Sequence, residues 1–386
     1  MLFDAFTARS LKLTNRIVMS PMTRSRAEGN IANALMAQYY GQRAAAGLII
    51  TEGTSPSPNG LGYPRIPGLF NSADVQGWRL VTSAVHAKGG KIFVQLMHAG
   101  RVGHVANLPA GAEVIGPGTA VCPGEMYTDT KGMQSMSPPR AMTSADIAHA
   151  VNEYTASARF ALDADFDGVE LHAANGYLIE QFLNPIVNQR TDEYGKGMEG
   201  RNKFALEVAS AMAKAIGPER LGIRLSPYGV FNGTGEFPEI RTQYLALADK
   251  LSSLKLLYLH LVDHSSMGAP PVPADFKIAL RNGFKGLFLL SGGFNRQTAE
   301  TALLEKRGDL VVFGRPFLAN PDLVRRMQLD APLNPPDPST FYTPGPKGYI
   351  DYPALEPEGT GKSESARIFG AATSGATPNS SANNVR

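Results

Sequence analysis

Three polar side chains crowd the latter part of the segment Val169-Glu170-Leu171-His172-Ala173-Ala174-Asn175-Gly176-Tyr177: His172, Asn175 and Tyr177. A neutral imidazole and a carboxamide both offer N–H donors to a carbonyl or nitro oxygen. A phenol shielded from water keeps a proton that it can deliver. Two donors and a weak acid suit polarisation of an acceptor followed by its protonation. The Asn-Gly pair predicts a turn that aims all three into one pocket. In the competing reading Asn175 merely closes the turn and Tyr177 packs in the core.

Two other polar residues interrupt apolar runs, Gln95 in Ile92-Phe93-Val94-Gln95-Leu96 and Arg224 in Leu221-Gly222-Ile223-Arg224-Leu225. Both need partners, which a bound heterocycle with carbonyls and ring nitrogens would supply; a buried ion pair is the alternative for Arg224. Further on, Ser291-Gly292-Gly293 and Gly314-Arg315 suit a phosphate held between backbone N–H groups, with Arg315 as a two-pronged donor. Alternatively, the glycines turn the chain and Arg315 pairs with a surface carboxylate. Metal chemistry reads poorly, since His98, His104 and His172 show no regular ligand spacing. The single cysteine, Cys122, can form neither an internal disulfide nor a thiolate cluster.

These residues fall at the ends of short aliphatic runs that alternate with longer amphipathic stretches, the pattern of a parallel sheet with crossover helices. Strands are expected at 16–22, 48–52, 92–97, 168–172, 221–226, 256–262, 286–291 and 310–314. The clearest helix covers 144–163 with Ser144 as its cap; another follows Asn320, whose side chain would cap it. Eight βα units favour a closed (β/α)8 TIM barrel. An open doubly wound sheet usually carries a glycine-rich turn after its first strand, and here that strand ends in Ser20-Pro21-Met22-Thr23. In a barrel the chemistry lies at the carboxyl ends of the strands. Roughly 45 residues follow the third strand and about 26 the fourth, long enough to cover a site.

The 386 residues carry 37 basic and 34 acidic side chains, and 43% are hydrophobic. A large core is therefore affordable, and no run of like charge marks a nucleic-acid surface. With no apolar run of membrane-spanning length, the expectation is a soluble, cytoplasmic protein that binds small molecules, as a monomer or homodimer. Residues 1–355 are read as one barrel domain and 356–386, rich in Gly, Ser, Thr, Ala and Asn, as a disordered tail.

Several spaced motifs together resemble the Old Yellow Enzyme family. They are Asn15-Arg16-Ile17-Val18-Met19-Ser20-Pro21-Met22-Thr23-Arg24, Val94-Gln95-Leu96 with His98-Ala99-Gly100-Arg101, His172-x-x-Asn175-Gly176-Tyr177, Asn188-Gln189-Arg190-Thr191-Asp192-Glu193-Tyr194-Gly195, Gly314-Arg315 with Asn320-Pro321-Asp322-Leu323, and Gly348-Tyr349-Ile350-Asp351-Tyr352-Pro353. The resemblance implies FMN at the strand ends. Thr23 would bind the flavin O4, Gln95 its pyrimidine edge and Arg224 its N1 and O2. Pro21, Met22 and Gly53 would line it, and Gly293, Gly314 and Arg315 would hold its phosphate. Tyr63, Met97, Phe231, Asn232 and Tyr342 match substrate-pocket positions.

The implied reaction uses NADPH, or less often NADH, to reduce the flavin, which then passes hydride to the β carbon of an α,β-unsaturated carbonyl or nitro compound. His172 and Asn175 would polarise the substrate oxygen and Tyr177 would protonate the α carbon; quinones are a further acceptor class. Two departures matter. Met97 stands where many relatives have Trp, so pocket volume and product stereochemistry do not carry over. Thr23 stands where a separate branch has Cys. One cysteine and no further domain also set the chain apart from the related dienoyl-CoA reductases.

Overall fold

The computed structural model describes residues 1–9 and 11–356. The expected tail thus lies almost wholly outside the described residues. Met1–Ala354 form one compact unit. Its centre is a closed barrel of eight parallel strands: Ile17–Met19, Leu48–Thr54, Ile92–Leu96, Gly168–Ala173, Leu221–Leu225, Tyr258–Val262, Leu287–Ser291 and Leu310–Phe313. They follow one another around the barrel in chain order, and the eighth pairs with the first. Each is nearly continuous in aliphatic residues because helices cover the outside and side chains fill the inside.

All eight expected strands are present, with ends displaced by a few residues. The first stops at Met19 rather than continuing to residue 22. Ser20 still donates to Phe313 O at 2.9 Å, but the next residue, Pro21, has no N–H to extend the ladder. The second runs on to Thr54 through a register shift between Ile50 and Gly53.

The helix expected at 144–163 is observed as Ser144–Asp163, but its cap is Thr143, not Ser144. Extended backbone at Thr143 lets its side chain accept from Asp146 N, while Asp146 reaches back to the Thr143 amide. Asn320 likewise does not cap with its side chain. The helix there is Leu323–Leu329, preceded by Asp322. The Asn320 amide is instead spent on Pro316 O at 2.8 Å and accepts from Asn334 N at 2.8 Å, tying the chain that follows the helix back to the barrel.

Inside the barrel, character changes along the axis. The amino-terminal end is apolar, with Val18, Leu48, Ile50, Phe93, Leu289, Leu310 and Val312 packed together above Leu11 and Leu13 of a small hairpin. Toward the carboxyl end come Gln95, Glu170, Arg224 and His260, all buried. Tyr258 bridges the two layers, its ring among the apolar residues and its hydroxyl donating to Glu170 Oε2 at 3.0 Å. That ring crosses directly over Gly222, where a Cβ would come within 2.1 Å of it.

The two long loops are built, not loose. After the third strand the chain forms a hairpin, Glu125–Thr128 with Gly132–Ser135, and a short parallel pair, Ile115–Gly116 with Arg140–Ala141. After the fourth it makes the short helix Leu178–Leu183 before the crossover helix Gly197–Ile216. Residues 338–353 return to the loop after the first strand, where buried arginines grip their carbonyls. Arg24 reaches Gly348 O at 2.7 Å, and Arg26 reaches Thr340 O at 2.8 Å and Lys347 O at 3.0 Å.

The close approach at Gly222 is testable. Gly222→Ala should destabilise the fold by about 1–3 kcal/mol through overpacking against Tyr258. Adding Tyr258→Leu should recover part of the loss. Thermal unfolding of the single and double variants checks this; additive losses would show that the two positions do not press on each other.

Candidate active site

Strand register places the polar residues in two adjoining rows. His172 pairs with Arg224 and Arg224 with His260, while Glu170 pairs with Gln95 on its other side. Glu170 is the hub, with no exposed surface. Its Oε1 accepts from Gln95 Nε2 at 2.8 Å; its Oε2 takes Tyr258 Oη and His260 Nδ1 at 3.0 and 2.9 Å. Burial pushes this carboxyl up, but His260, Arg224 and the Gln95 amide together hold it below the ordinary carboxylate value, so it is ionised. Burial holds His260 down, so the neutral ring donates through Nδ1.

Arg224 differs from the other members. It is 6% exposed, its Nε is buried without a partner, and its guanidinium makes no hydrogen bond or ion pair to the described residues. A cation kept out of water in this way calls for an occupant with acceptors or negative charge. The buried ion pair, the alternative for Arg224, does not form among the described residues. For Gln95 the expected need for an outside partner is corrected: Glu170 satisfies the amide nitrogen and leaves Oε1 as the acceptor that a ring N–H could use.

His172 is 2% exposed, and its Nδ1 accepts from Ala174 N at 3.2 Å. That bond puts the ring proton on Nε2, the donor position. Burial, reinforced by Arg224, His260 and His264, holds the ring well below the usual histidine value, so it is neutral. The turn that follows carries Asn175 and Gly176 at φ 60° and 75°. It is pinned by Asn175 N to Ser226 Oγ at 2.8 Å, Gly176 N to Glu180 Oε2 at 2.6 Å and Asn232 Nδ2 to Asn175 O at 2.8 Å. Asn175 Oδ1 is buried without a partner.

Tyr177 opens helix Leu178–Leu183, which is anchored to the third strand's loop by Leu178 N to His98 O at 3.0 Å. Gln181 in that helix donates to Ala99 O at 3.0 Å and accepts from Arg101 N at 3.1 Å. It lies so close to Gly100, at φ 61°, that a Cβ there would meet its Oε1 at 2.2 Å, which accounts for the glycine in His98-Ala99-Gly100-Arg101. The Tyr177 hydroxyl is 3.0 Å from that of Tyr63, and its ring stands edge-on to His172 with centroids 5.0 Å apart. Burial raises both phenols above their ordinary value, Tyr63 the more strongly. Both are protonated at neutral pH.

The remaining expected residues sit around this centre. Gly53 lies against Met97, whose side chain is buried. Pro21, Met22 and Thr23 follow the first strand, and Gly314 lies between Ser20 and Met22. Gly293 is at φ 72° beside Ser266, and Arg315 opens helix Arg315–Ala319 with its side chain exposed. Phe231 packs on His264 at 4.5 Å. The Asn232 amide is spent on the Asn175 carbonyl rather than left free. Tyr342 stands at the rim, 62% exposed, its carbonyl held by Arg65 at 2.9 Å. His98 and His104 each accept a nearby backbone N–H through Nδ1.

Sequence reasoning missed Glu170, Glu180, Ser226 and His264. Glu170 carried the same signal as Gln95 and Arg224, a polar residue inside an apolar run. Glu180 sits in an amphipathic stretch with nothing to distinguish it from a solvated helix face.

The family described as NADH:flavin oxidoreductase / NADH oxidase matches residues 1–334. The chain is 42% identical over 350 residues to a probable flavin mononucleotide-dependent alkene reductase of Leishmania infantum, covering 89% of this chain and 94% of that one. Among solved structures, morphinone reductase in complex with tetrahydroNAD is 42% identical with a TM-score of 0.87, covering 92% and 98% of the two chains. The Old Yellow Enzyme homologue from Zymomonas mobilis is 38% identical with a TM-score of 0.88, covering 92% and 99%.

Arg224→Met should leave the apoprotein at least as heat-stable as the parent, because it removes a buried charge that no neighbour pairs. The same change should weaken flavin binding by about 1.5–3 kcal/mol, the worth of a charged hydrogen bond. Thermal unfolding of apoprotein and fluorescence titration with FMN check the two halves. Undiminished flavin affinity would mean that Arg224 faces something else.

Proposed function

The chain belongs to the Old Yellow Enzyme family of FMN-dependent, NAD(P)H-using ene-reductases, and from that premise we propose that it reduces the activated C=C bond of α,β-unsaturated carbonyl or nitro compounds with Tyr177 as the proton donor. One observation carries the reading. A neutral His172 with its proton on Nε2, the turn bearing Asn175, and a Tyr177 hydroxyl backed by Tyr63 converge at the mouth where Arg224 is left without a partner.

In this reading Thr23, Gln95, Arg224, Pro21, Met22 and Gly53 hold the flavin ring, and Gly293, Gly314 and Arg315 hold the phosphate. The orphaned guanidinium fits an electron-rich heterocycle, and the Gln95 carbonyl, turned outward by Glu170, fits a ring N–H. When bound, FMN supplies the hydride that is drawn from the nicotinamide and delivered to the alkene carbon.

The protein's side chains do the rest. His172 and Asn175 donate to the substrate oxygen, where negative charge develops, and being fixed in advance they need no reorganisation. Neutrality of His172 lets it donate without giving up a full proton. Tyr177 transfers its proton to the α carbon. Tyr63, hydrogen-bonded to it at 3.0 Å, can replace that proton from the rim side. Met97, Phe231, Asn232 and Tyr342 shape the space above; buried Met97 gives that wall a flexible thioether. A nitro group or a quinone presents the same kind of oxygen to the same donors.

Tyr177→Phe keeps the ring and removes the acid. Flavin content and reduction by NADPH should change little, whereas enone reduction should slow about 100- to 10,000-fold. Quinones, which need no carbon protonation, should still reoxidise the flavin. Stopped-flow measurement of the two half-reactions separates them; equal losses in both would make Tyr177 a packing residue.

A further inference from the structure

Helix Leu178–Leu183 carries a second acidic residue into the site, Glu180, which is 2% exposed and has no part in the chemistry above. Its carboxylate accepts from Gly176 N at 2.6 Å, from Ser226 Oγ at 3.0 Å to each oxygen, and from Tyr244 Oη at 3.2 Å. Ser226 Oγ in turn accepts from Asn175 N at 2.8 Å. Two consecutive amides of the donor turn, Asn175 and Gly176, are thus held by one carboxylate, directly and through one hydroxyl. Both residues are left-handed, a conformation that glycine adopts freely and asparagine more readily than other residues.

We propose that Glu180 is a positioning residue whose ionised carboxylate clamps the Asn175–Gly176 turn, so that protonation of Glu180 loosens the site for the substrate oxygen. The inference rests on the ene-reductase reading, because the site it regulates is the one assigned there. Every group that meets Glu180 donates to it: the Gly176 amide, the Ser226 hydroxyl and the Tyr244 hydroxyl. An acceptor-only carboxylate satisfies all three with charge-assisted bonds, whereas a protonated carboxyl makes one hydroxyl reverse to accept from it or give up its bond, and leaves the Gly176 amide with a weaker, neutral acceptor. The switch lies in a useful range. Burial pushes Glu180 up to about 7, against the pull of the Gly176, Ser226 and Tyr244 bonds and of Arg224. The titratable and charged groups acting on it are Tyr244 from helix Ile240–Ser253 and Arg224 from the fifth strand. The sign follows: the turn is clamped above this value and released below it.

The test uses full-length FMN-loaded protein and 2-cyclohexenone, with kcat/KM measured from mildly acidic to mildly alkaline pH in the parent, Glu180→Gln and Tyr244→Phe. The parent should lose about three- to tenfold on the acid side, the effect of one buried hydrogen bond, with a midpoint near 7. Glu180→Gln should stay at the low plateau with no midpoint. Tyr244→Phe should move the midpoint upward, since the bond it removes favours the ionised form. Reoxidation of reduced flavin by oxygen, which needs no oxygen-binding donors, should respond alike in all three. A midpoint that survives in Glu180→Gln, or does not move in Tyr244→Phe, overturns the inference. If the glutamine variant fails to fold or to hold flavin, the Tyr244→Phe midpoint alone decides. A parent that turns over flavin but no enone at any pH overturns the ene-reductase reading, and this inference with it.

Discussion

A guanidinium taken out of water sets the terms for the rest of this molecule. Arg224 enters the barrel on the fifth strand, and no hydrogen bond or ion pair from the described residues meets it. Burying a cation without a direct partner is among the costliest things a fold can do. The neighbours make it bearable without neutralising it. Ionised Glu170 acts on it through space, but its oxygens are committed to Gln95, Tyr258 and His260. The arrangement leaves the charge without a direct ion-pair partner among the described residues.

That commitment propagates outward. Because Glu170 accepts from the Gln95 amide nitrogen, the Gln95 carbonyl is left free of that bond. Because burial, reinforced by Arg224, His260 and His264, disfavours the charged ring, the His172 imidazole stays neutral and can serve as a donor. The apolar plug at the amino-terminal end of the barrel has a part as well: it excludes water from beneath the polar layer, so every electrostatic interaction above it is stronger than it would be in solution. Gly222 joins the two layers by admitting the ring of Tyr258, whose hydroxyl makes one of the three bonds to Glu170.

Rigidity of the loops follows the same logic. Asn175 and Tyr177 sit on a turn, where backbone is ordinarily free to shift, and here each loop at this end of the barrel is tied to at least one other. Gln181 joins the loops after the third and fourth strands, and Asn232 joins those after the fourth and fifth. Arg101 holds the carbonyl of Asn232 at 2.9 Å, closing the circuit back to the third. Arg65 bonds to Ser25 O and Tyr342 O and pairs with Asp129, connecting the rim hairpin with the returning segment near the carboxyl end. Preorganisation is thus achieved mostly by side chains bonded to the backbone of neighbouring loops.

The sequence determined a good deal by itself. Eight aliphatic runs alternating with amphipathic stretches required a parallel sheet with both faces covered, because hydrophobic periodicity is a local property that a single chain displays openly. The polar residues that interrupt those runs, Gln95 and Arg224, announced an interior site for the same reason. Helix caps were less legible: Thr143 rather than Ser144 begins its helix, since both residue types can cap and only the backbone angle selects between them. What the tertiary structure alone decided was pairing across distant segments. That Glu170 serves Gln95 and leaves Arg224 free, that Tyr63 meets Tyr177, and that Glu180 reaches back to its own preceding turn all depend on strand register and on directions of approach a few ångströms wide. Such contacts join residues up to 114 positions apart in the chain, and no local pattern of hydrophobicity encodes which of several possible partners a buried polar group will find.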